Sequence, residues 1–388
     1  MYLKNLVICN CNNDYTENGG AIAITGSAKY IIINCTFRDN KATKNGGAIY
    51  NGVQRSSISI INCTFINNKA EKENGGAIYG IGDFHIDDSY FSSNSAKENG
   101  GAVYAKGSDY TGLSYAWVHG CTFEKNSAGK EGGAIYQNVY LYIYNSTFKS
   151  NTAEDYGGAV RADWVCVNDD NWATEPISFF IDNQAKSCGG GAIYSRSDAD
   201  VYCSYFKGNK AKTDGGAIDT SYHCNVHNSV FDSNRVEGAL IERCWGGAIN
   251  SWQETNSYNC RFINNYAENS GGAIHAKTAS LWGPASYFEN NVAYKFQGGA
   301  IYTESFKEDI KSGIFIGNKA GEGAKTSDDG GAIYISDEKM DVLSISGCVF
   351  LNNHCTDEGG AIYVDTVSLD AQNNSVVMNI IDLSEFDA

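Results

Sequence analysis

Two segments of this sequence combine tryptophan, tyrosine and aspartate in a way that suits ligand binding. Their candidate binding residues are Tyr110, Tyr115 and Trp117 in residues 107–117, and Trp164, Asp169, Asp170 and Trp172 in residues 163–176. Exposed indole and phenol rings beside a few carboxylates suit a sugar ring or the hot spot of a protein interface. The same rings would also suit a satellite core in which the two segments bury each other's aromatics.

A second set of aromatic candidates occupies the position that follows a Gly-Gly-Ala-Ile/Val tetrapeptide. Four consecutive instances carry tyrosine there, at Tyr50, Tyr79, Tyr104 and Tyr136. Arg161 and Asp219 hold this position elsewhere, and we predict that it faces outward because an interior slot would not accept them. The stripe is either a surface for sugars or a partner protein, or a self-stacked ladder that covers the sheet.

The cysteines and sequons give weaker chemical signals. Either cysteine or serine stands two residues before a recurrent phenylalanine, which predicts that this position holds a small side chain. Cys35 and Cys63 occupy it in adjacent repeats, where they would form either a strained disulfide or stacked thiols. Asn-x-Thr sequons begin at Asn34, Asn62 and Asn145. We expect them inside core strands, where they would be poor glycan acceptors.

Metal and acid–base chemistry are not favoured by the spacing of histidines and acids. His223 and His227 would need helical geometry to share a metal, and their segment has the alternation of a strand. The acids Asp163, Asp169, Asp170, Glu175 and Asp198 could act as acid–base carboxylates or form a calcium site, but they suit a solvated loop better. We therefore expect no metal, no cofactor and no enzymatic activity, with a polysaccharide lyase or hydrolase as the alternative.

Two motifs repeat in phase along the whole chain and must position these residues. The Gly-Gly-Ala-Ile/Val tetrapeptide occurs thirteen times, at a mean spacing of about 28 residues. Phe-x-x-Asn occurs twelve times between its copies, from Phe37/Asn40 to Phe350/Asn353. A period of this length indicates stacked repeats that each pack only on their neighbours.

Each repeat reads as one coil of a parallel β-helix. Apolar and polar residues alternate in Ser57–Phe65 and in Tyr140–Tyr144, as expected for short strands. Glycine pairs and asparagines supply the bends, since both accept a positive φ. We predict a single all-β domain over residues 1–388 with about thirteen coils, inward Ile/Val and Phe stacks, and a ladder of asparagine amides.

The two aromatic segments are insertions into this pattern. We predict that both follow the same strand of their coils, with one plain coil between them, about 10 Å apart along the axis. Loops placed in this way would flank a shallow groove carrying the candidate residues.

The composition excludes some partners. The chain has 29 basic and 45 acidic residues, a net charge of −16, and no run of lysine or arginine. This argues against nucleic acid and anionic membrane surfaces as partners. No apolar run approaches the roughly 18 residues of a membrane helix, so we expect no membrane insertion by this segment.

The paired Gly-Gly-Ala-Ile and Phe-x-x-Asn motifs resemble the repeats of chlamydial polymorphic outer-membrane proteins, over residues 6–363. Similar repeats occur in adhesin-like surface proteins of bacteria and methanogenic archaea. The resemblance implies a right-handed parallel β-helix at a cell surface, used for adhesion, and in the chlamydial family an autotransporter passenger. We expect the chain to be a piece of a longer secreted protein, because both ends fall within a repeat.

These observations predict an extracellular adhesin region that binds a protein or glycan of a host or neighbouring cell. The structural alternative is end-to-end self-association of the coils into a filament or matrix, because open strand edges can pair.

Overall fold

The computed structural model describes residues 2–13, 17–54, 56–107, 114–169, 177–238, 243–283, 286–307, 310–311, 313–323, 328–336 and 345–364. Contacts within the chain define two compact units: unit 1 is 1–170, 177–200 and 209–211, and unit 2 is 171–176, 201–208 and 212–388. In each unit the coils contribute strands to three parallel sheets, here named A, B and C in chain order. The predicted all-β parallel β-helix is confirmed, with thirteen described coils counted at sheet B.

Sheet A begins directly after the glycine pair, with two short segments in most coils. Ile or Val of the tetrapeptide points into the coil and is fully buried, and the polar or aromatic neighbour points out. In unit 1 its strands are Tyr2–Lys4, Ile22–Ile24, Lys29–Ile33, Ile49–Asn51, Ser57–Ile61, Ile78–Ile81, Asp83–Asp87, Val103–Lys106, Tyr115–His119, Ile135–Gln137, Tyr140–Tyr144, Val160–Ala162, Trp164–Val167 and Ile193–Ser195. In unit 2 they are Ile218–Thr220, Cys224–His227, Ile249–Tyr258, Ile274–Trp282, Ile301–Phe306, Ile333–Ile335 and Ile362–Val364; Ala199–Tyr202 divides between the units, and Ile310–Lys311 pairs with Ile345–Ser346 separately.

Sheet B carries the phenylalanine stack. Six rings in each unit lie 4.7–4.9 Å apart and nearly parallel, because in-register parallel strands place identical side chains one strand spacing apart. In unit 1 the strands are Val7–Cys9, Thr36–Arg38, Thr64–Ile66, Tyr90–Ser92, Thr122–Glu124, Thr147–Lys149 and Ser178–Ile181. In unit 2 they are Ser204–Lys207, Val230–Asp232, Arg261–Ile263, Tyr287–Glu289, Ile314–Ile316 and Val349–Leu351.

Sheet C consists of two-residue strands that end on a small buried side chain, alanine in most coils. In unit 1 they are Asn12–Asn13, Lys41–Ala42, Lys69–Ala70, Ser95–Ala96, Ser127–Ala128, Thr152–Ala153, Gln184–Ala185 and Lys210–Ala211. In unit 2 they are Arg235–Val236, Tyr266–Ala267, Val292–Ala293 and Lys319–Ala320. A larger side chain would not fit this narrow corner of the coil.

The bends between sheets are residues in the left-handed conformation. Asn62 has φ 48° between sheets A and B, and Asn67 has φ 54° between sheets B and C. The prediction that asparagine bends the chain is confirmed. The sequon asparagines Asn34, Asn62 and Asn145 all occupy the first bend and are exposed, so the prediction that they lie inside core strands was wrong.

The glycine pair brings adjacent coils into close approach. Gly132 has φ 65°, and a side chain there would meet the carbonyl oxygen of Ile135. A Cβ at Gly133 would lie 2.0 Å from the carbonyl oxygen of Gly158 in the next coil. Glycine is required at both positions, first by conformation and then by space.

The predicted asparagine ladder is present at the second bend. Asn126, for example, donates from Nδ2 to Phe91 O and to Asn151 Oδ1, each at 3.0 Å, and its Oδ1 accepts from Asn94. The same pattern joins the buried motif asparagines from Asn40 to Asn209 in unit 1 and from Asn234 to Asn353 in unit 2. Hydrogen bonding in every coil removes the cost of burying these amides.

The alternation of cysteine and serine has a polar cause that the sequence did not show. The side chain at this slot accepts the backbone N–H of its counterpart in the preceding coil, as Cys63 Sγ does for Cys35 N at 3.4 Å and Ser89 Oγ for Cys63 N at 3.0 Å. Ser89 also donates to Asp87 O. The slot therefore favours a small side chain that both donates and accepts, although Gly313 occupies it in one coil. Cys35 and Cys63 are stacked thiols.

Candidate functional site

The described candidates of the two aromatic segments stand on strands of sheet A. Tyr115 and Trp117 lie in Tyr115–His119, and Trp164 lies in Trp164–Val167. Alternation puts Ala116 and Val118 in the core and leaves the aromatic side chains on the outer face. The rings therefore have a rigid sheet beneath them, where the sequence predicted loops.

The predicted groove between two insertions rested on a wrong placement of them. The strand Tyr115–His119 comes after the first insertion, whereas Trp164–Val167 comes before the second. The insertions therefore enter at opposite ends of the second segment of sheet A. Three candidates, Tyr110, Asp170 and Trp172, lie outside the described residues.

Parallel pairing brings four further rings to the same face. Trp117 pairs with His85 of the coil before and Tyr142 of the coil after. Tyr115 pairs with Tyr140, which pairs with Trp164. We name the resulting surface of unit 1 the aromatic patch; it consists of His85, Tyr115, Trp117, Tyr140, Tyr142, Tyr144 and Trp164.

The rings of the aromatic patch contact one another in two geometries. His85 stacks on Trp117 at 4.5 Å and 9°, and Trp117 on Tyr142 at 5.8 Å and 11°. Trp164 turns its edge to Tyr142, at 5.3 Å and 66°. All seven side chains are partly exposed. Such mutual contacts hold the side chains in place, so a ligand would meet a preorganised surface.

Sequence reasoning missed His85, Tyr140, Tyr142 and Tyr144 as members of this surface. The alternation in Tyr140–Tyr144 identifies a strand but not what lies beside it. A signal was available in principle, since aligning coils on their phenylalanines places Tyr142 next to Trp117.

Acidic groups surround the aromatic patch. Tyr144 donates a hydrogen bond to Asp169 Oδ2 at 3.1 Å, and burial together with that carboxylate raises the pKa of Tyr144. Asp87 lies 3.9 Å from His119, and Asp83 accepts from the Tyr115 amide at 3.4 Å. The tyrosine stays a neutral donor at physiological pH, and carboxylates provide the formal charge at this rim.

The tyrosine stripe of unit 1 is a stacked ladder. Tyr50, Tyr79, Tyr104 and Tyr136 follow one another at 4.8–5.1 Å with nearly parallel rings. The guanidinium of Arg161 covers the last ring at 4.7 Å and forms ion pairs with Glu131 and Asp163 at 3.1 and 2.8 Å. Ring faces inside the ladder are covered by neighbours, which leaves edges and hydroxyl groups for a partner. Binding by this stripe stays a prediction.

The same motif position in unit 2 holds a chain of polar side chains. Asn250 donates to Asp219 at 2.8 Å and meets His275 Nδ1 at 2.9 Å. Asp219 is 3 % exposed, and Arg161, which holds the same position in unit 1, is 5 % exposed. The position thus points away from the coil interior as predicted, but neighbouring residues cover it. Ion pairs compensate the charge of Arg161, whereas burial raises the pKa of Asp219 and favours its neutral form.

The acids considered for catalysis are held by neighbouring groups where the structure describes them. Asp163 pairs with Arg161 and lies 3.6 Å from Arg196, and Asp198 accepts from Ser197 at 3.2 Å. Within the described part of the chain, no group of three or more His, Cys, Asp or Glu side chains could hold a metal ion. No described helix has the length and apolarity needed to cross a membrane.

Comparison with known proteins gives one family. The Chlamydia polymorphic membrane protein repeat matches ten stretches that together cover about half of the chain. They are residues 34–52, 62–81, 88–106, 120–138, 178–196, 204–221, 259–277, 285–304, 312–336 and 347–365. No curated protein and no solved structure matches the chain significantly.

Proposed function

The chain belongs to the Chlamydia polymorphic membrane protein repeat family, and on that premise we propose that it is a surface-exposed, passenger-like region that mediates adhesion. The observation that carries the proposal is the aromatic patch of unit 1. Seven partly exposed rings lie side by side on the outer face of one sheet, and contiguous exposed apolar patches often mark interaction sites.

We assign the aromatic patch to a protein partner on the surface of another cell. Its floor is a sheet face, which suits a broad partner surface better than a small ligand. Tyrosine and tryptophan are the residues that dominate binding energy in protein interfaces. The rim acids Asp83, Asp87 and Asp169, in a chain of net charge −16, favour a partner with basic residues facing them.

Cell binding tests this proposal directly. Beads coated with the purified chain are incubated with cultured epithelial cells, and the double variant Trp117→Ala/Tyr142→Ala is compared with Trp252→Ala/Tyr222→Ala. The control removes two exposed rings of unit 2, 41 % and 54 % accessible. We expect the patch variant to lose binding by about tenfold or more and the control to retain it.

Two further arms identify the partner class. Asp87→Lys keeps the seven rings and the hydrogen bond between Tyr144 and Asp169. It should weaken binding to a basic partner, as should increased salt. Protease treatment of the cells should abolish binding, whereas glycosidase treatment should not. Binding that survives protease but not glycosidase would replace the protein partner with a glycan. Equal binding by patch and control variants, both folded by circular dichroism, would overturn the proposal.

A further inference from the structure

Unit 2 has a cavity on the outer face of sheet A that is separate from the aromatic patch. It measures about 320 Å³ and is lined by Asn225, His227, Asn256, Ser280, Trp282 and Lys307. Ligand pockets span about 300–1,000 Å³, so the volume suits one or two small rings.

Strand pairing arranges the lining in two columns. Asn225 pairs with Asn256, and Asn256 with Ser280, which makes a polar column across three coils. Two residues further along the same strands, His227, Tyr258 and Trp282 make an aromatic column. Because side chains two apart in a strand share a face, hydrogen-bonding groups and aromatic rings lie side by side.

The aromatic column is compact and ends on an exposed indole. The ring centroids of Tyr258 and Trp282 lie 4.9 Å apart, and the rings of Trp282 and His227 are nearly perpendicular, at 5.6 Å and 86°. Trp282 nevertheless remains 44 % exposed. A fixed indole that is open to solvent at the mouth of a cavity is a surface on which a flat apolar face can stack.

The polar column presents a hydroxyl group and an amide to the cavity. Ser280 is 3 % exposed and lines the cavity. Asn256 uses one N–H for Asn225 Oδ1, at 2.8 Å, which leaves its carbonyl oxygen and second N–H. A ligand with hydroxyl groups can form hydrogen bonds with both side chains.

The charges of the cavity are balanced. Lys307 Nζ lies 2.8 Å from Glu254 Oε1, so the cation is already compensated and does not select for an anionic ligand. The acidic chain as a whole also repels phosphate and sulfate groups.

We propose that this cavity binds a neutral pyranose sugar, with the apolar face of the ring on Trp282 and its hydroxyls on Ser280 and Asn256. A pyranose has an apolar C–H face bordered by hydroxyl groups, which matches an aromatic column beside a polar column. The site goes beyond the adhesion surface of unit 1 and does not depend on it.

The test uses the purified full chain with four disaccharides: cellobiose, lactose, mannobiose and diacetylchitobiose. Isothermal titration calorimetry and saturation-transfer NMR should detect one site per chain for at least one of them. Trp282→Ala should weaken binding about tenfold or more, and Ser280→Ala about three- to tenfold. The matched control Trp252→Ala removes an equally exposed tryptophan (41 %) that does not line the cavity, and it should bind like wild type.

Thermal melting separates loss of the site from loss of the fold. Ser280→Ala leaves no buried group unpaired and should melt like wild type. The proposal is overturned if none of the four sugars binds, if Trp282→Ala and Trp252→Ala bind equally, or if inorganic phosphate competes with the sugar. Cell adhesion through the aromatic patch is measured with different variants. The sugar site and the adhesion surface can therefore each be confirmed or overturned independently.

Discussion

At the scale of single residues, asparagine and aspartate show how burial changes the role of a polar side chain. Asn126 is completely buried, and its side chain forms hydrogen bonds with the coil before it and the coil after it. Asn145 sits on an exposed bend with φ 44°. The same amide is thus a structural cross-link in one place and a turn residue in the other.

Asn126→Ala is expected to destabilise unit 1 strongly. It removes the acceptor for the backbone N–H and Nδ2 of Asn94 and the donor to Phe91 O. Each buried group left unpaired costs about 1–3 kcal/mol, so the free energy of unfolding in urea should fall by about 3 kcal/mol. Asn145→Gly, which keeps the bend, is the control and should change it little; equal effects would show that the ladder is not a source of stability.

Asp219 should make the stability of unit 2 depend on pH. Burial, and then the neighbouring carboxyl of Asp214, raises the pKa of Asp219 above its ordinary value of 3.8. Burial likewise raises the pKa of Asp214. The folded state therefore holds protons that the unfolded state releases, and stability falls as pH rises above about 4 and through the raised pKa values.

Asp219→Asn isolates this effect, since the amide oxygen can still accept from Asn250. Between pH 5 and pH 8.5 the wild type should lose at least about 1.4 kcal/mol more unfolding free energy than the variant, the equivalent of one pKa unit. Urea titrations at both pH values measure the difference. Parallel pH profiles would mean that the carboxyl is ionised in the fold at no cost.

At the scale of elements, strands in most coils have two to five residues. Such short strands are not stable alone and depend on pairing with the coils on either side. The close approach that this pairing demands is set at the glycine pair. Spacing between coils, more than strand propensity, therefore decides whether a coil forms.

Gly133→Ala tests that spacing. The added Cβ would lie 2.0 Å from Gly158 O and 2.6 Å from Thr152 backbone atoms, and neither can move without separating the coils. We expect a loss of about 3 kcal/mol or more, visible as a large drop in melting temperature. Gly26→Ala, whose Cβ would meet nothing closer than 3.5 Å, should melt like wild type. A mild effect at Gly133 would contradict the close approach described for the glycine pair.

At the scale of the whole molecule, net charge and open strand edges act in opposite directions. A charge of −16 keeps copies apart in dilute salt, whereas unpaired edges favour association. The prediction of a single domain over residues 1–388 stays a prediction, as does end-to-end association.

Light scattering over a concentration series tests association. We expect the apparent mass to stay near the 42.0 kDa monomer at low salt and to rise with concentration in about 0.5 M sodium chloride, where the charge is screened. Lys149→Glu, which adds negative charge on an exposed side chain in the middle of sheet B, should leave the high-salt result unchanged. A monomer under all conditions would remove the filament alternative.

The sequence alone determined the fold class, the number of coils, the phenylalanine stack and the asparagine ladder. Each of these depends on one residue type at a fixed position of the repeat. A β-helix places equivalent positions of successive coils next to each other. The recurrence of Phe65, Phe91 and Phe123 at one position of the repeat therefore predicts that their side chains are neighbours. Nothing beyond the repeat was needed to predict them.

Tertiary structure decided what differs between coils. Insertions change the length of a coil, so the mean repeat period does not place Trp117 between His85 and Tyr142. Strand pairing does so, as does alignment of the coils on their phenylalanines. The cover over Asp219 and the cavity beside Trp282 likewise depend on neighbours about 25–30 residues away. Repetition encodes the scaffold locally, whereas the binding surfaces arise from non-repeated side chains that meet only when the coils stack.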